Sequence, residues 1–255
     1  MTQLEKANVF KALHKKGEPL ILYNIWDAGG AKALSDAGAR AIATGSWSLA
    51  AAHGFQDGEN IPLDLVLTLV ERITHTVELP VSVDFEGGYA LAPDAVAENV
   101  RRVIRAGAIG INFEDRIVDG EGLHSILSQC DRIRAIRTVA REESVPLFVN
   151  ARTDLFLGTE RDTHPDRVSE AVERGAAYAE AGADGFFVPG LVDTDLIGRI
   201  VDAVRLPVNV MMFDELTSIE AVASLGVSRA SYGPGPYLSA LSDLVERFKH
   251  TGEAR

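Results

Sequence analysis

The sequence predicts an α/β protein built as a single (β/α)8 barrel of the TIM type, with one domain over residues 1–255. Four segments share a helix end, a glycine and a short apolar run: DAGARAIATGS (36–46), RAGAIGINFED (105–115), EAGADGFFVPG (180–190) and SLGVSRASYGP (224–234). Four further apolar runs alternate with them: LILYNI (20–25), VSVDF (81–85), LFVNA (147–151) and VNVMM (208–212). Continuously apolar runs indicate parallel strands with both faces covered, and eight of them favour a closed barrel over an open sheet.

A helix is predicted after each of these strands. The predicted helices cover roughly 27–37, 63–76, 94–106, 129–142, 165–181, 192–204, 215–225 and 236–249. The glycines of the repeated segments, at positions 38, 107, 182 and 226, end four of them, because glycine readily adopts the left-handed conformation that closes a helix. A barrel of this kind commonly takes about 250 residues, so we expect no second domain.

The composition excludes several classes of partner. The chain carries 37 Asp and Glu residues against 25 Lys and Arg residues, and this net charge of -12 repels nucleic acid. Its first residues lack the apolar core of a signal peptide, and no apolar run of about 18 residues predicts a membrane span. The lone Cys130 agrees with a reducing compartment. We therefore expect a cytoplasmic protein that does not bind membranes.

Acidic residues gather where the predicted strands end, which is where such barrels carry their catalytic groups. The polar residues at these ends are Asn24, Asp27, Thr44 to Ser48, Asp84, Glu86, Glu114, Asp115, Asn150 to Asp154, Asn209 and Ser231. Asp84 and Glu86 would point the same way from a straight strand, and Glu114 would approach from the next strand. Three carboxylates require a counter-charge, and oxygen ligands favour Mg²⁺ or Mn²⁺ over zinc.

A second interpretation of these carboxylates needs no metal. Asp84 would cap a helix, Glu86 would face solvent, and Glu114 would pair with an arginine such as Arg116 or Arg152. The spacing alone leaves both interpretations open.

Anion-binding groups are predicted beside the carboxylates. Arg152, at the end of strand five, can bind a carboxylate or phosphonate through two parallel hydrogen bonds, although an ion pair with Asp154 or Glu114 is the alternative. The segment GSWS (45–48) can bind an anion through its backbone N–H groups and through the Ser46 and Ser48 hydroxyls, or it can form an ordinary turn.

Taken in order, these motifs resemble the isocitrate lyase/phosphoenolpyruvate mutase superfamily. The matching residues are Gly45-Ser46, Asp57, Asp84-Phe85-Glu86-Gly87-Gly88-Tyr89, Phe113-Glu114-Asp115 and Asn150-Ala151-Arg152-Thr153-Asp154. The resemblance extends from about Phe10 to Tyr232. It implies Mg²⁺-dependent formation or cleavage of C–C or P–C bonds next to a 2-oxo acid. It also implies a barrel whose last helix is often exchanged between subunits, and hence a homodimer or homotetramer.

The resemblance further implies a role for each matching residue. The metal ligands, direct or through water, would be Asp84, Glu86 and Glu114, with Asp57 farther out. The substrate would be cradled by Ser46, Trp47 and Ser48, and Arg152 would bind its anionic end. Ser46, Glu114 and Arg152 would then be catalytic, and Asn209 is a further substrate-binding candidate from its strand-end position. A metal chelated by the 2-oxo acid would stabilise the enolate that forms when the neighbouring bond breaks.

Two features depart from the superfamily pattern. Glu86 stands where the usual motif has a second aspartate. The loop after strand four carries a Lys-Lys/Arg-Cys-Gly-His motif in the lyases, whereas residues 116–130 here read RIVDGEGLHSILSQC. His124 is the candidate proton shuttle in this loop, with a solvated loop histidine as the alternative. Cys130 is predicted to be a packed structural thiol.

The leading hypothesis is a Mg²⁺-dependent lyase or decarboxylase that cleaves a C–C bond in a small 2-oxo or 2-hydroxy dicarboxylate through an enolate. The first alternative is P–C chemistry, as in a phosphoenolpyruvate-type mutase or phosphonopyruvate hydrolase. The second alternative is a non-catalytic, metal-dependent binding protein for 2-oxo acids. In all three, the ligand is a small anionic acid.

Overall fold

Eight parallel strands form one sheet in the computed structural model, which describes residues 1–251. They are β1 Leu20–Leu22, β2 Ile42–Ala43, β3 Val81–Asp84, β4 Gly110–Glu114, β5 Phe148–Arg152, β6 Gly185–Phe187, β7 Val208–Met211 and β8 Arg229–Ser231. The order across the sheet is β1-β8-β7-β6-β5-β4-β3-β2, so each strand lies beside its neighbours in sequence and β1 meets β8. The predicted (β/α)8 barrel is confirmed.

The seam between β1 and β2 is closed by one bridge and one side chain. A single parallel bridge joins Ile25 to Thr44. The buried Asn24 amide donates to the Thr44 carbonyl at 2.7 Å, and its oxygen accepts the N–H groups of Tyr232 and Gly233, each at 2.9 Å. Asn24 thus adds side-chain hydrogen bonds to the backbone bonds that join β1, β2 and β8 here, and β1 ends at Leu22, earlier than the apolar run 20–25 predicts.

Ten α-helices surround the strands within residues 1–251. They are α1 Gln3–Ala12, α2 Ala28–Asp36, α3 Ser46–Ala52, α4 Leu63–Thr76, α5 Pro93–Arg105, α6 Ile126–Glu142, α7 His164–Ala181, α8 Thr194–Ala203, α9 Ile219–Ser224 and α10 Gly235–His250, with a 3-10 turn at Arg161–Thr163. All eight predicted helices are present, and α4 has its predicted bounds. The prediction missed α1 and α3. In residues 1–251, no helix is long and apolar enough to cross a bilayer.

Helix α1 closes the amino-terminal end of the barrel. Its capping box is formed by Thr2 and Glu5. The Phe10 ring is fully buried and packs edge-on against Phe148, while His14 stacks on Phe148 with ring centroids 4.1 Å apart. Burial lowers the pKa of His14 to about 3, so this imidazole stays neutral. With this end closed, the barrel opens at the carboxyl-terminal ends of its strands.

Candidate active site

Two adjoining cavities lie at the carboxyl-terminal ends of the strands. The barrel cavity, of about 200 Å³, is lined by Asn24, Gly45, Ser46, Trp47, Asp57, Asp84, Asn112, Arg152, Leu157, Phe187, Pro189, Met211, Ser231, Gly233 and Pro234. The lid cavity, of about 470 Å³, is lined by Ser46, Asp57, Gly58, Asn60, Glu86, Glu114, Arg116, Val118, Asp119, Gly120, Glu121, Arg152 and Leu157. Ser46, Asp57 and Arg152 line both cavities, so the two form one continuous site.

Asp84 is held firmly at the end of β3. One of its oxygens accepts the backbone N–H of Ser46 at 3.1 Å and the Ser46 hydroxyl at 2.9 Å. The Asn112 amide donates to the other oxygen at 3.3 Å. Because Ser46 is the first residue of α3, Asp84 also satisfies an N–H group at that helix terminus. The helix-capping interpretation of Asp84 is therefore correct in part, and it is compatible with a place on the cavity wall.

Glu86 does not continue the direction of Asp84, because the strand ends at Asp84 and Glu86 is left-handed with φ 48°. Glu59 and Tyr89 are also left-handed, with φ 57° for each, and the three are connected. The Glu86 carboxylate accepts the Glu59 N–H at 2.6 Å, and the Glu59 carboxylate accepts the Tyr89 N–H at 2.7 Å. Glu86 is only 4% exposed, so the solvent-facing interpretation is wrong.

The acidity of Glu86 reflects this crowding. Burial, and then the charges of Asp57 and Asp84, raise the pKa of Glu86 to about 8. Burial and the charge of Asp84 also raise the pKa of Asp57, against the opposing charges of Arg152 and Arg116. The negative charge of neighbouring carboxylates thus makes Glu86 and Asp57 harder to deprotonate.

Glu114 and Arg152 form an ion pair across β4 and β5. A guanidinium nitrogen of Arg152 lies 3.0 Å from the Glu114 carboxylate. Arg152 also donates two hydrogen bonds to Asp154, at 2.6 and 2.8 Å. Burial raises the pKa of Glu114 well above its ordinary value, although Arg152 opposes the shift. The charges of Glu114 and Asp154 in turn keep the pKa of Arg152 above its ordinary value despite burial.

The expected cage of three directly converging carboxylates is not formed. Across the described chain, residues 1–251, no three carboxylate, imidazole or thiolate side chains stand close enough together to hold one metal ion. Asp84, Glu86 and Glu114 each have a different partner because the turn at Glu86 and the Arg152 pair separate them. The donor set still fits a hard dication: these three and Asp57 are oxygen donors on one continuous cavity, and burial and mutual repulsion raise the pKa of three of the four. The metal role of these residues stays a prediction.

The structure places some of the predicted substrate-binding residues on a cavity wall and buries the others behind it. Ser46, Trp47 and Arg152 line the barrel cavity. Ser48 and Asn209 are fully buried and line neither cavity. The Asn209 amide exchanges hydrogen bonds with the hydroxyl of Ser231, which does line the barrel cavity. The side chains of Ser48 and Asn209 are thus packing and supporting groups in this structure.

Residues 116–124 form a hairpin at the mouth of the site. Arg116 and Leu123 pair as antiparallel residues, the Ile117 N–H donates to the Gly122 carbonyl at 3.1 Å, and the His124 N–H donates to the Asp115 carbonyl at 2.7 Å. His124 lines neither cavity, and its ring lies 3.5 Å from the hydroxyl of Ser128. The structure therefore does not bring His124 to the other site residues, and its predicted role as a proton shuttle has no structural support.

Arg229 is a buried cation that the sequence analysis missed. Its guanidinium, fully buried inside the barrel, donates to Asn112 at 3.0 Å and to Ser231 at 3.2 Å, and Asn112 in turn donates to Asp84. Burial lowers the pKa of Arg229 to about 9, against the charge of Asp84. The available signal was an arginine inside an apolar strand, because a buried charge requires a partner.

Comparison with known proteins shows which chains this one resembles. The family profile described as phosphoenolpyruvate phosphomutase matches residues 10–251. A solved structure of a proposed phosphonomutase from Burkholderia cenocepacia J2315 is 45% identical, with TM-score 0.95 over 98% of this chain and 99% of that one. An uncharacterised protein from Mycobacterium tuberculosis (strain CDC 1551 / Oshkosh) is 34% identical over 91% of this chain and 84% of its own.

Characterised relatives catalyse several related reactions. The 2-methylisocitrate lyase of Escherichia coli (strain K12) is 31% identical over 78% of this chain and 67% of its own. Further relatives are a phosphoenolpyruvate phosphomutase of Streptomyces hygroscopicus and oxaloacetate decarboxylases. A phosphonopyruvate hydrolase, 24% identical, shares the fold with TM-score 0.84. The chain belongs to the phosphoenolpyruvate mutase family, within the isocitrate lyase/phosphoenolpyruvate mutase superfamily.

Proposed function

We propose that this protein is a lyase or decarboxylase that requires Mg²⁺ or Mn²⁺. It cleaves the C–C bond next to the 2-oxo or 2-hydroxy group of a small dicarboxylate and passes through an enolate. The observation that carries this proposal is the wall shared by the two cavities, where the anion-binding groups Ser46 and Arg152 stand beside the acidic Asp57.

The cation would be held by Asp84, Glu86 and Glu114, directly or through water, with Asp57 farther out. Bound there, it supplies the positive charge that an enolate oxygen needs. The chain's own residues prepare the site. Ser46 and Asn112 fix the Asp84 carboxylate through their hydrogen bonds.

The substrate's anionic end is bound by Arg152, whose guanidinium is kept in place by Glu114 and Asp154. An arginine held on two sides loses little freedom when a ligand binds, so it orients the ligand. The backbone N–H groups of Trp47 and Ser48, in the first turn of α3, are the proposed donors to the oxyanion.

Decarboxylation fits a site whose lid lacks the Lys-Lys/Arg-Cys-Gly-His motif of the lyases. The bond between C3 and the departing carboxylate breaks, its electron pair moves onto the 2-oxo group, and CO₂ leaves. A proton from water then restores C3. No base is needed to start this reaction, whereas cleavage of a 2-hydroxy acid requires removal of the hydroxyl proton. His124, the candidate for that task, lines neither cavity.

Pyruvate release tests the proposal. Oxaloacetate, 2-methylisocitrate, dimethylmalate and phosphonopyruvate are each assayed through lactate dehydrogenase with Mg²⁺ or EDTA, against protein-free controls containing the metal. We expect Mg²⁺-dependent pyruvate from a carbon substrate, lost in Asp84→Ala and Arg152→Ala and retained in Asp202→Asn, whose side chain is 83% exposed. Unchanged turnover in folded Asp84→Ala would sink the proposal.

P–C chemistry is the second candidate, favoured by the 45% identity to a proposed phosphonomutase. Phosphorus NMR on phosphonopyruvate separates the two, because a mutase moves the phosphorus signal to a phosphate ester and a hydrolase moves it to inorganic phosphate. Metal-dependent binding without any product would support the non-catalytic binding protein instead.

We also propose that two or more copies associate through α10. This helix projects from its own barrel with five exposed apolar side chains: Leu238, Leu241, Leu244, Val245 and Phe248. Ile21 on β1 and Tyr23, just after β1, are uncovered as well, at 46% and 44% exposed. In a pair of copies, α10 of one copy would cover the exposed residues near β1 of the other. Both apolar surfaces would then be buried together.

The oligomeric state tests this association. Light scattering of the eluting protein should give a dimer or tetramer, and Leu241→Asp with Leu244→Asp should give a monomer. Leu127→Asp, at another exposed leucine, is the control. A wild-type monomer at micromolar concentration would overturn the proposal.

A further inference from the structure

A second arginine lies at the mouth of the site without a partner. Arg116 lines the lid cavity together with Arg152. Arg152 is engaged by Glu114 at 3.0 Å and by Asp154 at 2.6 Å. The Arg116 guanidinium, by contrast, makes neither an ion pair nor a hydrogen bond to any group in residues 1–251. We propose that Arg116 is the specificity residue that binds the distal carboxylate of a dicarboxylate substrate, an assignment that rests on the proposed function.

The backbone of Arg116 is well anchored although its side chain is free. It follows Asp115, whose carboxylate accepts hydrogen bonds from Arg174 at 3.1 Å and from Tyr178 at 2.8 Å. On its other side, the bridge from Arg116 to Leu123 fixes the base of the hairpin. Because its backbone is fixed, the unpaired side chain can meet a ligand at a defined place.

The charges around Arg116 explain why a dicarboxylate requires it. The lid cavity is lined by five carboxylates: Asp57, Glu86, Glu114, Asp119 and Glu121. Its other arginine, Arg152, is already paired with acidic residues. Away from the acid end held by Arg152 and the cation, a distal carboxylate would therefore be repelled by the lining carboxylates and attracted by Arg116, whose charge already acts on Asp57.

The chemistry favours a carboxylate over a phosphonate at this position. One guanidinium complements one carboxylate through two parallel hydrogen bonds. A phosphonate carries up to two charges at neutral pH and needs further cations, and the lid cavity offers no other unpaired arginine within residues 1–251. Residue 116 thus selects substrates that have a second carboxylate beyond the 2-oxo or 2-hydroxy acid end.

Binding measurements test this assignment without relying on turnover. With Mg²⁺ present, calorimetry compares oxalate, which reports on the acid end, with malate, which adds a distal carboxylate. We expect Arg116→Gln to weaken malate about tenfold and leave oxalate unchanged, and Arg116→Lys to recover part of the loss. Arg134→Gln, at an exposed arginine on α6 that pairs with Asp131, should change neither affinity.

Kinetics give a second readout. Where the distal carboxylate takes no part in bond breaking, Arg116 binds it equally in the ground state and in the transition state, so Arg116→Gln should raise KM about tenfold with kcat unchanged. In oxaloacetate the distal carboxylate departs as CO₂ and loses its charge in the transition state, so there too Arg116→Gln should raise KM without lowering kcat. A purely structural role would lower kcat as well, and that result would overturn the assignment.

Each of the other possible results of the binding measurements leads to a different conclusion. If the wild type binds both ligands and Arg116→Gln loses neither, or loses both equally, the assignment alone is wrong. If Arg116→Gln loses affinity for phosphonopyruvate but not for malate, the preference for a dicarboxylate is wrong. If the wild type binds neither oxalate nor malate, the proposed function is wrong and the assignment with it.

Discussion

Two adjacent carboxylates at the end of β4 have opposite surroundings. Asp115 is fully buried and accepts hydrogen bonds from the Arg174 guanidinium, from the Tyr178 hydroxyl and from a backbone N–H at 3.1 Å. Glu114 is 4% exposed, and within residues 1–251 the Arg152 guanidinium is the one cation paired with it.

The difference follows from the alternation of side chains along a strand, which sends the two residues to opposite faces. Asp115 points away from the barrel interior to α7 and lines neither cavity, while Glu114 lines the lid cavity. Arg152 is shared between Glu114 and Asp154, so negative charge exceeds positive charge on that side. A buried carboxylate with a full set of donors stabilises the fold, whereas one that shares its cation is available for a ligand.

The largest expected effect comes from removing the satisfied carboxylate. Asp115→Ala leaves Arg174 buried with one acidic partner fewer and removes the anchor between β4 and α7. We expect a loss of about 3–5 kcal/mol in the free energy of unfolding, measured by urea denaturation. Asp202→Asn should change it by less than about 0.5 kcal/mol. A loss below 1 kcal/mol in Asp115→Ala would contradict the comparison.

The neighbouring substitution should affect chemistry instead. Glu114→Gln removes a crowded charge, so the fold should keep its stability within about 1 kcal/mol. Turnover should fall about 100-fold or more, because a group beside the developing charge is lost. Electron paramagnetic resonance of bound Mn²⁺ should show weaker cation binding. If Glu114→Gln and Asp115→Ala lost equal free energy of unfolding, the two carboxylates would not differ in their contribution to the fold.

The crowded carboxylates of the site should also make the free energy of unfolding depend on pH. The folded-state pKa of Glu86, about 8, is above the value of about 4.3 for an unfolded glutamate, so the folded state holds an extra proton between them. The stability of the metal-free protein therefore falls as pH rises through this window. From Glu86 we expect about 2 kcal/mol less at pH 8 than at pH 6, and Glu86→Gln should reduce the pH dependence by this share. Saturating Mg²⁺ should remove it, because the cation replaces the proton. Stability that rises between pH 6 and pH 8 without metal would count against this.

The smallest expected effect comes from removing the charge of Arg229, which is buried inside the barrel. Arg229→Met removes a buried positive charge connected to Asp84 through Asn112. Mn²⁺ binding should strengthen several-fold, by less than about 1.4 kcal/mol. Arg229→Lys keeps the charge and should bind Mn²⁺ as the wild type does. Weaker binding in Arg229→Met would show that the orientation of Asn112 matters more than the charge.

The sequence predicts the barrel well because its signals are local. Apolar periodicity and helix-ending glycines indicate the strands and eight of the helices, and α4 has its predicted bounds. Helix α3 was missed because its first residues, GSWS, are also typical of a turn. Helix α9 begins later than predicted because Ser218 caps it by accepting the Ala221 N–H.

The site is less predictable because its pairings join distant segments. Spacing in sequence gives Glu114 and Arg152 as neighbours on adjacent strands, yet it does not choose between an ion pair and a metal site. Spacing likewise places Glu86 beside Asp84 and does not reveal the left-handed turn between them. Asp119-Gly120 is a local turn signal for the hairpin. That signal does not reveal that Arg116 finds no partner within residues 1–251.

The first turn of α10 has a consequence for how the protein responds to dilution. Tyr237 packs edge-on against Trp47, a wall residue of the barrel cavity, with ring centroids 5.9 Å apart, and against Trp26 at 5.0 Å. The same helix carries the apolar stripe proposed to meet a second copy. The conformation of Trp47 is then coupled to self-association, so specific activity, and not only molecular mass, should vary with protein concentration.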